Sequence, residues 1–286
     1  MDGIVLINKE KNCTSRDVVN QVSKILKTKK IGHTGTLDPI ATGVLVLCIG
    51  KATKLVEVIT SYDKEYEAEV ILGIKTDTKD ITGEILKEEK AIISKENIEK
   101  CLKQMIGTYN QTVPIYSAVK INGKKLYEYA RNNEEIELPK RKVTIKELKL
   151  ISDITYEKEK TKFKIKCHVS KGTYIRVLCE DIAERLGTVG LMKNLCRTRV
   201  NEFDIEDSCK IEQIAKEKII SIEKVCNIKP KIELDDKTKE KFLNGVKLNF
   251  NMENGVYRIY NKKIFLGLGV INNNILKRDV IIIDNF

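Results

Sequence analysis

The thirteen residues from Ile31 to Gly43, IGHTGTLDPIATG, constrain this chain more than any other stretch. Three glycines, three threonines and a proline surround one carboxylate, Asp38, and the apolar run Val44 to Ile49 follows at once. Glycine permits backbone angles that other residues avoid, short polar side chains bond to nearby backbone, and Pro39 pushes Asp38 out of the helical region. The stretch predicts a bent, self-bonded loop that holds Asp38 in place. From the spacing, Asp38 is either a turn residue that accepts backbone N–H bonds or a carboxylate presented for chemistry.

Charge and composition limit the classes of partner. The chain of 286 residues carries 52 Lys and Arg against 41 Asp and Glu, a net charge of +11. Such an excess favours a polyanionic partner such as a nucleic acid. There is no apolar run near the ~20 residues needed to cross a membrane, and the N-terminus lacks a signal-peptide pattern. The sequence therefore indicates a cytoplasmic protein that does not enter a membrane.

The cysteine pattern argues against a metal site. The eight cysteines form no C-x-x-C pair, and His33 and His168 are the only histidines. Zinc-ligand spacing is absent, so reduced thiols acting as small hydrophobic residues are the better interpretation. We predict neither a metal nor a cofactor.

Hydrophobic periodicity and cap residues predict strands alternating with helices. The predicted strands are Gly3 to Ile7, Val44 to Ile49, Lys64 to Gly73, Lys142 to Ile151 and Thr161 to Ser170, with short strands after Pro230. The predicted helices begin at a Thr14 or Ser15 cap, at Lys51, at a Ser94 cap, after the Asn122-Gly123 turn and after Gly172, and a helical tract covers Ile211 to Cys226.

Several of these segments resemble one family. GHTGTLDPIATG is similar to the catalytic motif of the TruB family of tRNA pseudouridine synthases, whose aspartate corresponds to Asp38. Further similar segments are the K-x-Y pattern at Lys64 to Tyr66, TDTKDITG at Thr76 to Gly83, VPIYSAVKINGKKLYEYAR at Val113 to Arg131, SKGTYIRVLCEDIAERLG at Ser170 to Gly187 and LCRTRV at Leu195 to Val200. Cys196 departs from the family, where arginine is usual, so no role is assigned to it.

The resemblance implies a catalytic set of Asp38, Tyr66 and Arg176. In the family the aspartate does the chemistry, the tyrosine stacks on the target base and the arginine pairs with the aspartate. It also implies substrate-binding roles for His33, Lys64, Asp80, Lys120, Tyr174 and Leu195, with Leu195 against the target base.

Several of these residues have a plainer interpretation, and His33, a lone histidine in a loop, is as often merely structural. Tyr66 could be an ordinary strand aromatic, and Asp80 could belong to an Asx-rich turn. Arg176 could form a surface pair with Glu180, four residues on. Lys120 lies in a stretch where basic residues alternate with tyrosines, which suits an RNA-facing surface, although charges on a solvated face are the default.

The family resemblance implies an α+β fold. We expect a pseudouridine synthase domain over residues 1–228, with a central mixed, mainly antiparallel sheet flanked by helices. We expect a small β-barrel similar to the RNA-binding PUA domain over residues 229–286, where Gly267 and Gly269 match a G-x-G.

The implied function is isomerisation of uridine 55 in the T arm of tRNA, by an enzyme that flips the base and acts as a monomer without a protein partner. The alternatives are a noncatalytic RNA-binding or tRNA-folding protein on the same scaffold, and a nucleoside hydrolase or glycosidase. Most glycosidases use two carboxylates that flank the scissile bond, and Asp38 has no obvious second carboxylate in its loop.

Overall fold

The computed structural model describes residues 2–226 and 229–283. The strands are β1 (Gly3–Lys9), β2 (Ile31–His33), β3 (Thr42–Ile49), β4 (Lys64–Leu72), β5 (Ile74–Thr76), β6 (Ile85–Glu88), β7 (Gly107–Thr112), β8 (Lys120–Ile121), β9 (Lys124–Lys125), β10 (Lys140–Leu150), β11 (Thr155–Glu157), β12 (Lys160–Val169), β13 (Gly190–Val200), β14 (Phe203–Asp204), β15 (Lys231–Glu233), β16 (Leu248–Asn249), β17 (Gly255–Asn261), β18 (Ile264–Asn272) and β19 (Ile275–Ile281). The α-helices are α1 (Ser15–Ile25), α2 (Val56–Thr60), α3 (Lys95–Gln104), α4 (Leu126–Arg131), α5 (Ile175–Arg185), α6 (Ile222–Val225) and α7 (Asp236–Leu243).

A ten-stranded sheet forms the centre of the molecule, in the order β1-β3-β13-β4-β12-β10-β7, with β2, β11 and β14 attached to its strands. Pairing is antiparallel except between β13 and β3, which run parallel where Cys196 lies opposite Thr42 and Arg197 opposite Gly43. The sheet is therefore mixed and mainly antiparallel, as predicted. Strand β13 joins the strand that follows the Asp38 loop to the strand that carries Tyr66.

Both faces of β1 and β3 are buried, which explains why these strands are continuous apolar runs rather than alternating ones. On one face, Val5 and Leu45 pack with Val18 of α1 and Leu178 of α5. On the other face, apolar side chains of β1 and β3 pack with those of α6, β18 and β19, and these are Ile4, Leu6, Val46, Ile222, Leu268 and Val280. The central sheet is thus flanked by helices and also supports the C-terminal unit.

The C-terminal unit is a curled five-stranded sheet in the order β15-β17-β18-β19-β16. Its apolar side chains pack with Phe242 of α7, which is fully buried. With β15 and β16 at its edges the sheet is a half-barrel, and its likeness to a PUA domain stays a prediction. The predicted division of the domains between residues 228 and 229 also stays a prediction, because Asn227 and Ile228 lie outside the described residues.

Two local predictions need correction, and one open choice is decided. Of the two predicted caps, Thr14 is the N-cap of α1, where it forms a capping box with Asp17. The helix predicted from Lys51 is a 3₁₀-helix over Gly50–Leu55 before α2 begins. The tract Ile211 to Cys226 is not one helix, because two 3₁₀ turns precede α6.

The cysteines match the prediction, since all eight are free and six are buried. Within residues 2–226 and 229–283, no cluster of three or more His, Cys, Asp and Glu side chains could hold a metal ion. No helix of the described chain is long and apolar enough to cross a membrane.

Gly43 allows the close approach between β3 and β13. Its φ is +100°, and a Cβ placed there would lie 2.2 Å from the carbonyl oxygen of Arg197. We expect Gly43→Ala to destabilise the fold by about 2–5 kcal/mol, because backbone strain and overpacking add. The matched control is Gly107→Ala, since Gly107 has φ +130° but nothing within 4 Å of an added Cβ. Thermal unfolding of both variants checks this, and equal losses of stability would contradict the close-approach explanation.

Candidate active site

Hydrogen bonds hold the loop around Asp38 at Leu37 and at Pro39, the two neighbours of the carboxylate residue. The Ser15 hydroxyl accepts from the N–H of Leu37 at 2.9 Å. The carbonyl of Pro39 accepts from the N–H of Asn12 at 2.9 Å and from Nζ of Lys9 at 3.4 Å. The loop is bent and held as predicted, but by β1 and α1 as well as by its own backbone. The Asp38 side chain remains 35% exposed, so a ligand could reach it.

Arg176 contacts the Asp38 carboxylate through two of its guanidinium nitrogens. Nε lies 2.9 Å from Oδ2, and Nη2 lies 3.4 Å from Oδ1. The same guanidinium donates to the carbonyls of Thr78 at 2.9 Å and Tyr116 at 3.0 Å, and its side chain is only 6% exposed. Four donor contacts at one planar group define its position tightly.

The surface-pair interpretation of Arg176 is not what the structure has. Glu180 instead pairs with Lys79 and with Lys75, the latter at 3.5 Å. The Arg176 side chain points away from Glu180, towards the Asp38 loop. Its positive charge lies in the first turn of α5, where it opposes the helix dipole, and the negative charge of Asp38 compensates for this.

Asp80 lies beside Arg176 but is occupied by its own turn. Its Oδ1 accepts from the hydroxyls of Thr78 at 2.8 Å and Thr82 at 2.6 Å and from the Thr82 N–H at 3.0 Å. Its Oδ2 is 3.9 Å from Nε of Arg176, and the residue is 5% exposed. Asp80 thus belongs to an Asx-rich turn, as its plainer interpretation predicted. The same turn places the Thr78 carbonyl where it accepts from Arg176. A contact of Asp80 with substrate stays a prediction.

Tyr66 lies on β4 at 7% exposure, opposite Arg197 on β13 and Cys167 on β12. Burial raises the pKa of its hydroxyl, and the nearby Asp38 raises it further, whereas the charge of Arg197 lowers it. The phenol is therefore neutral at neutral pH. Asp38 and Arg176 are in direct contact, and Tyr66 is close enough to Asp38 to feel its charge, so the structure brings the predicted catalytic set together.

Two buried cations next to the loop were not predicted. Lys9 and Arg197 are 0% and 2% exposed. Burial lowers the pKa of Lys9, while the Cys13 thiol and Asp38 raise it. The only sequence signal for Lys9 was a lysine at the end of an apolar strand; Arg197 carried no signal beyond its place in the LCRTRV segment.

His33 and Lys64 differ in how free they are to bind a ligand. The Nδ1 of His33 is buried and without a partner, and burial lowers the pKa of the imidazole so that the neutral form is favoured. Nζ of Lys64 donates to the carbonyls of Tyr62 at 2.6 Å and Thr60 at 3.0 Å. Burial, with the charge of Arg197, lowers the pKa of Lys64 to about 8. These contacts make Lys64 a cap for the end of α2, and its predicted substrate contact remains untested.

Leu195 and Lys120 occupy different surroundings. Leu195 is 6% exposed on β13, and its carbonyl accepts from the hydroxyl of Thr42 at 3.4 Å. Lys120 is exposed on the β8–β9 hairpin, and no contact with Asp38 is seen among the described residues. On the same hairpin, Lys124 lies over the ring of Tyr129 at 4.5 Å. Some tyrosine faces of this basic stretch are thus already covered by its own cations.

Tyr174 is held by Gln111 of β7 through its backbone. The Tyr174 N–H donates to Oε1 of Gln111 at 2.8 Å, and Nε2 of Gln111 donates to the Tyr174 carbonyl at 3.2 Å. Nε2 also donates to the hydroxyl of Tyr109, which donates to Asp181 at 2.8 Å. Tyr174 caps α5, and Arg176 follows two residues later. Gln111 therefore sets the position from which Arg176 reaches Asp38.

We expect Gln111→Leu to lower both stability and activity. The change leaves the Tyr174 N–H unpaired, at a cost of about 1–3 kcal/mol, whereas the Tyr174 carbonyl still accepts from the N–H of Leu178 at 3.0 Å. A displacement of about 1 Å at Arg176 can lower a rate ~10²-fold. Melting temperature and the single-turnover rate measure the two effects, and Gln104→Leu, at an exposed site on α3, is the control. A stable variant with full activity would show that Gln111 does not position Arg176.

A cleft of 820 Å³ lies beside this site. It is lined by Asp77, Ile115, Tyr116 and the segment from Ala130 to Leu138. The Tyr116 hydroxyl donates to Asp77 at 3.0 Å, and the Tyr116 carbonyl accepts from Arg176. One wall of the cleft is thus fixed to the residue that holds Asp38.

Comparisons with known proteins cover nearly the whole chain. The N-terminal domain model of TruB family pseudouridylate synthases matches residues 23–175. A tRNA pseudouridylate synthase B C-terminal domain model matches residues 176–229, and a pseudouridine synthase II TruB C-terminal model matches residues 230–278.

Individual relatives agree with the family models. A tRNA pseudouridine synthase B of Bacillus cereus is 44% identical over 264 residues, which are 88% of this chain and 86% of that protein. The protein of the same name in Bacillus pumilus is 43% identical over 258 residues, covering 87% of this chain and 84% of its own length.

Two solved structures have a similar fold. An H/ACA RNP bound to a substrate RNA containing 2′-deoxyuridine has a chain that superposes with a TM-score of 0.71 at 21% identity, covering 98% of this chain and 85% of its own. A Cbf5-Nop10-Gar1 complex gives a TM-score of 0.68 at 22% identity, with 99% and 84% covered. At these identities the likeness supports the fold alone. The family models and the sequence relatives show that this chain belongs to the TruB family of pseudouridylate synthases.

Proposed function

We propose that this protein converts uridine 55 in the T arm of tRNA to pseudouridine, with Asp38 as the reacting carboxylate. The bidentate contact between Asp38 and Arg176 in a fastened, partly exposed loop supports this assignment most strongly. The relatives are named tRNA pseudouridine synthase B, and the net charge of +11 suits a tRNA partner. We further propose that the enzyme is a cytoplasmic monomer that needs no metal or cofactor.

The reaction makes three demands on the site. The N1–C1′ bond of uridine breaks, the uracil turns, and a C5–C1′ bond forms, while the proton on C5 leaves and N1 gains one. The base must first leave its stack and enter a pocket, for which Tyr66 and Leu195 supply the apolar walls. Asp38 then attacks or deprotonates the sugar, and Arg176 holds its carboxylate in place through two contacts.

A single assay separates this function from its alternatives. An unmodified tRNA transcript and a T-arm stem-loop are incubated with the protein in excess chelator, and nucleosides are analysed. Pseudouridine at position 55, absent from a transcript with cytidine there, is the expected result. Free uracil would indicate a hydrolase. Binding without any new nucleoside would indicate a noncatalytic RNA-binding or tRNA-folding protein.

A further inference from the structure

Arg197 is a buried cation without an acidic partner. It is 2% exposed, and in residues 2–226 and 229–283 no Asp or Glu forms an ion pair with it. Burying a charge is costly unless it is paired and hydrogen-bonded. Its charge is felt across the site, since it lowers the pKa of Lys64 and also, as a smaller contribution, that of Lys9 and of His33. A group retained at such a cost calls for a specific role.

Its hydrogen bonds join both ends of the Asp38 loop. Nε donates to the carbonyl of Val44 at 2.7 Å, and Nη2 donates to the carbonyl of Gly35 at 3.1 Å. Gly35 precedes Asp38 by three residues, and Val44 follows it by six. A single planar side chain therefore spans the base of the loop that presents the carboxylate.

The same side chain reaches Tyr66. Arg197 lies opposite Tyr66 in the antiparallel β13–β4 pair and opposite Gly43 in the parallel β13–β3 pair, and its charge lowers the pKa of the Tyr66 hydroxyl. A guanidinium has donors only, so Arg197 cannot accept the proton of the Tyr66 hydroxyl. That proton is left for another acceptor.

We propose that Arg197 is a positioning residue for catalysis, which sets the Tyr66 hydroxyl and the Asp38 loop in one geometry and leaves the hydroxyl proton for the substrate base. The inference rests on the proposed function. Arg197 acts through Tyr66 and the loop and need not touch the RNA. The opposing idea is that Arg197 only stabilises the fold, as any buried residue of a central strand would.

A double-mutant cycle with Tyr66 distinguishes the two ideas. Arg197→Lys and Arg197→Met are each made alone and with Tyr66→Phe, and single-turnover rates on the T-arm stem-loop are measured at saturating enzyme. We expect each single change at Arg197 to lower the rate ~10²-fold, because small displacements in a catalytic site are this costly. In the Tyr66→Phe background the same change should lower the rate less than about tenfold. Equal losses in both backgrounds would overturn the proposal.

A second measurement does not depend on activity. The rate of hydrogen exchange at the amides from residue 35 to 44 should rise in Arg197→Lys, because the bonds from Arg197 to the Gly35 and Val44 carbonyls are lost. This rise should exceed what the loss of global stability in the variant would produce. The control is Arg199→Lys, two residues along β13, whose guanidinium instead pairs with Asp204 at 3.1 Å and Glu65 at 3.2 Å. Unchanged exchange in the loop would overturn the proposal. An inactive wild-type protein would instead refute the proposed function, while the exchange result would still decide for or against the role of Arg197.

Discussion

Asp38→Asn is expected to abolish pseudouridine formation while tRNA binding is retained. The amide is nearly isosteric with the carboxylate, so the fastened loop and its contacts with Ser15 and Lys9 should persist. It cannot act as a nucleophile or base, and it no longer offers Arg176 a negative charge. Removing the reacting group typically lowers turnover by about 10⁴-fold or more. Affinity should change little, since contacts with phosphates dominate binding to nucleic acid.

The measurement uses variant protein from a host without its own enzyme, because traces of wild type would mask the loss. Single-turnover rate and tRNA affinity are determined together, and Asp153→Asn, which removes a charge at an exposed position, is the control. Turnover above about one hundredth of the wild-type rate would rule out Asp38 as the reacting group, because it far exceeds the residual rate expected when the reacting group is removed. A large loss of affinity would show that Asp38 mainly binds.

The bent loop around Asp38 could be predicted because the residues that determine its shape are adjacent in the sequence. Glycines, threonines and a proline within thirteen residues indicate a bent segment around Asp38 whatever surrounds it. The contact with Arg176 could not be found this way, because 138 positions separate the two residues. Only the family resemblance of the G-T-Y-I-R segment pointed to that pair, and the structure now shows how α5 and Gln111 achieve it.

Strand β13 went unassigned although it lies at the centre of the sheet. Its register shifts between Met192 and Asn194 and again between Arg197 and Arg199, so the alternation of buried and exposed residues is interrupted twice. Period-2 patterns identify strands only where the pleat is regular. Arg197, at the second of these shifts, lies opposite both Gly43 and Tyr66 because β13 pairs with β3 on one side and with β4 on the other.

Lys9 and Lys64 show the limit of assigning roles by residue type. A lysine suggests a solvated charge or a phosphate contact, but both side chains are buried and donate to backbone carbonyls. For Lys9 the acceptors are the carbonyl of the adjacent Glu10 and that of Pro39, 30 residues along the chain. Because such acceptors are distant or have no side-chain signature, the sequence cannot distinguish a structural lysine from one that binds RNA.

Tyr66→Phe is expected to lower the single-turnover rate by about 10²–10⁴-fold with nearly normal tRNA affinity. The ring keeps its place between Arg197 and Cys167, so stacking on the extruded uracil should survive. The hydroxyl is lost, and positioned acid–base groups typically contribute ~10²–10⁴-fold to a rate. The structure favours an acid–base role, because the buried phenol is neutral and the neighbouring Arg197, which has donors only, cannot accept its proton. Tyr156→Phe is the control, since that hydroxyl donates to the Ile93 carbonyl at 3.1 Å on an exposed edge.

Tyr66→Leu should lose the aromatic face as well as the hydroxyl. Stacking contributes about 1–3 kcal/mol per base, so this variant should bind tRNA more weakly than Tyr66→Phe and be at least as slow. If Tyr66 were only a residue of the core, both variants would instead melt lower and otherwise bind and react in proportion to the folded fraction. Rates, affinities and melting temperatures of the two variants together decide the matter. A wild-type rate for Tyr66→Phe would remove the hydroxyl from the mechanism, and with it the reason for Arg197 to hold that hydroxyl in place.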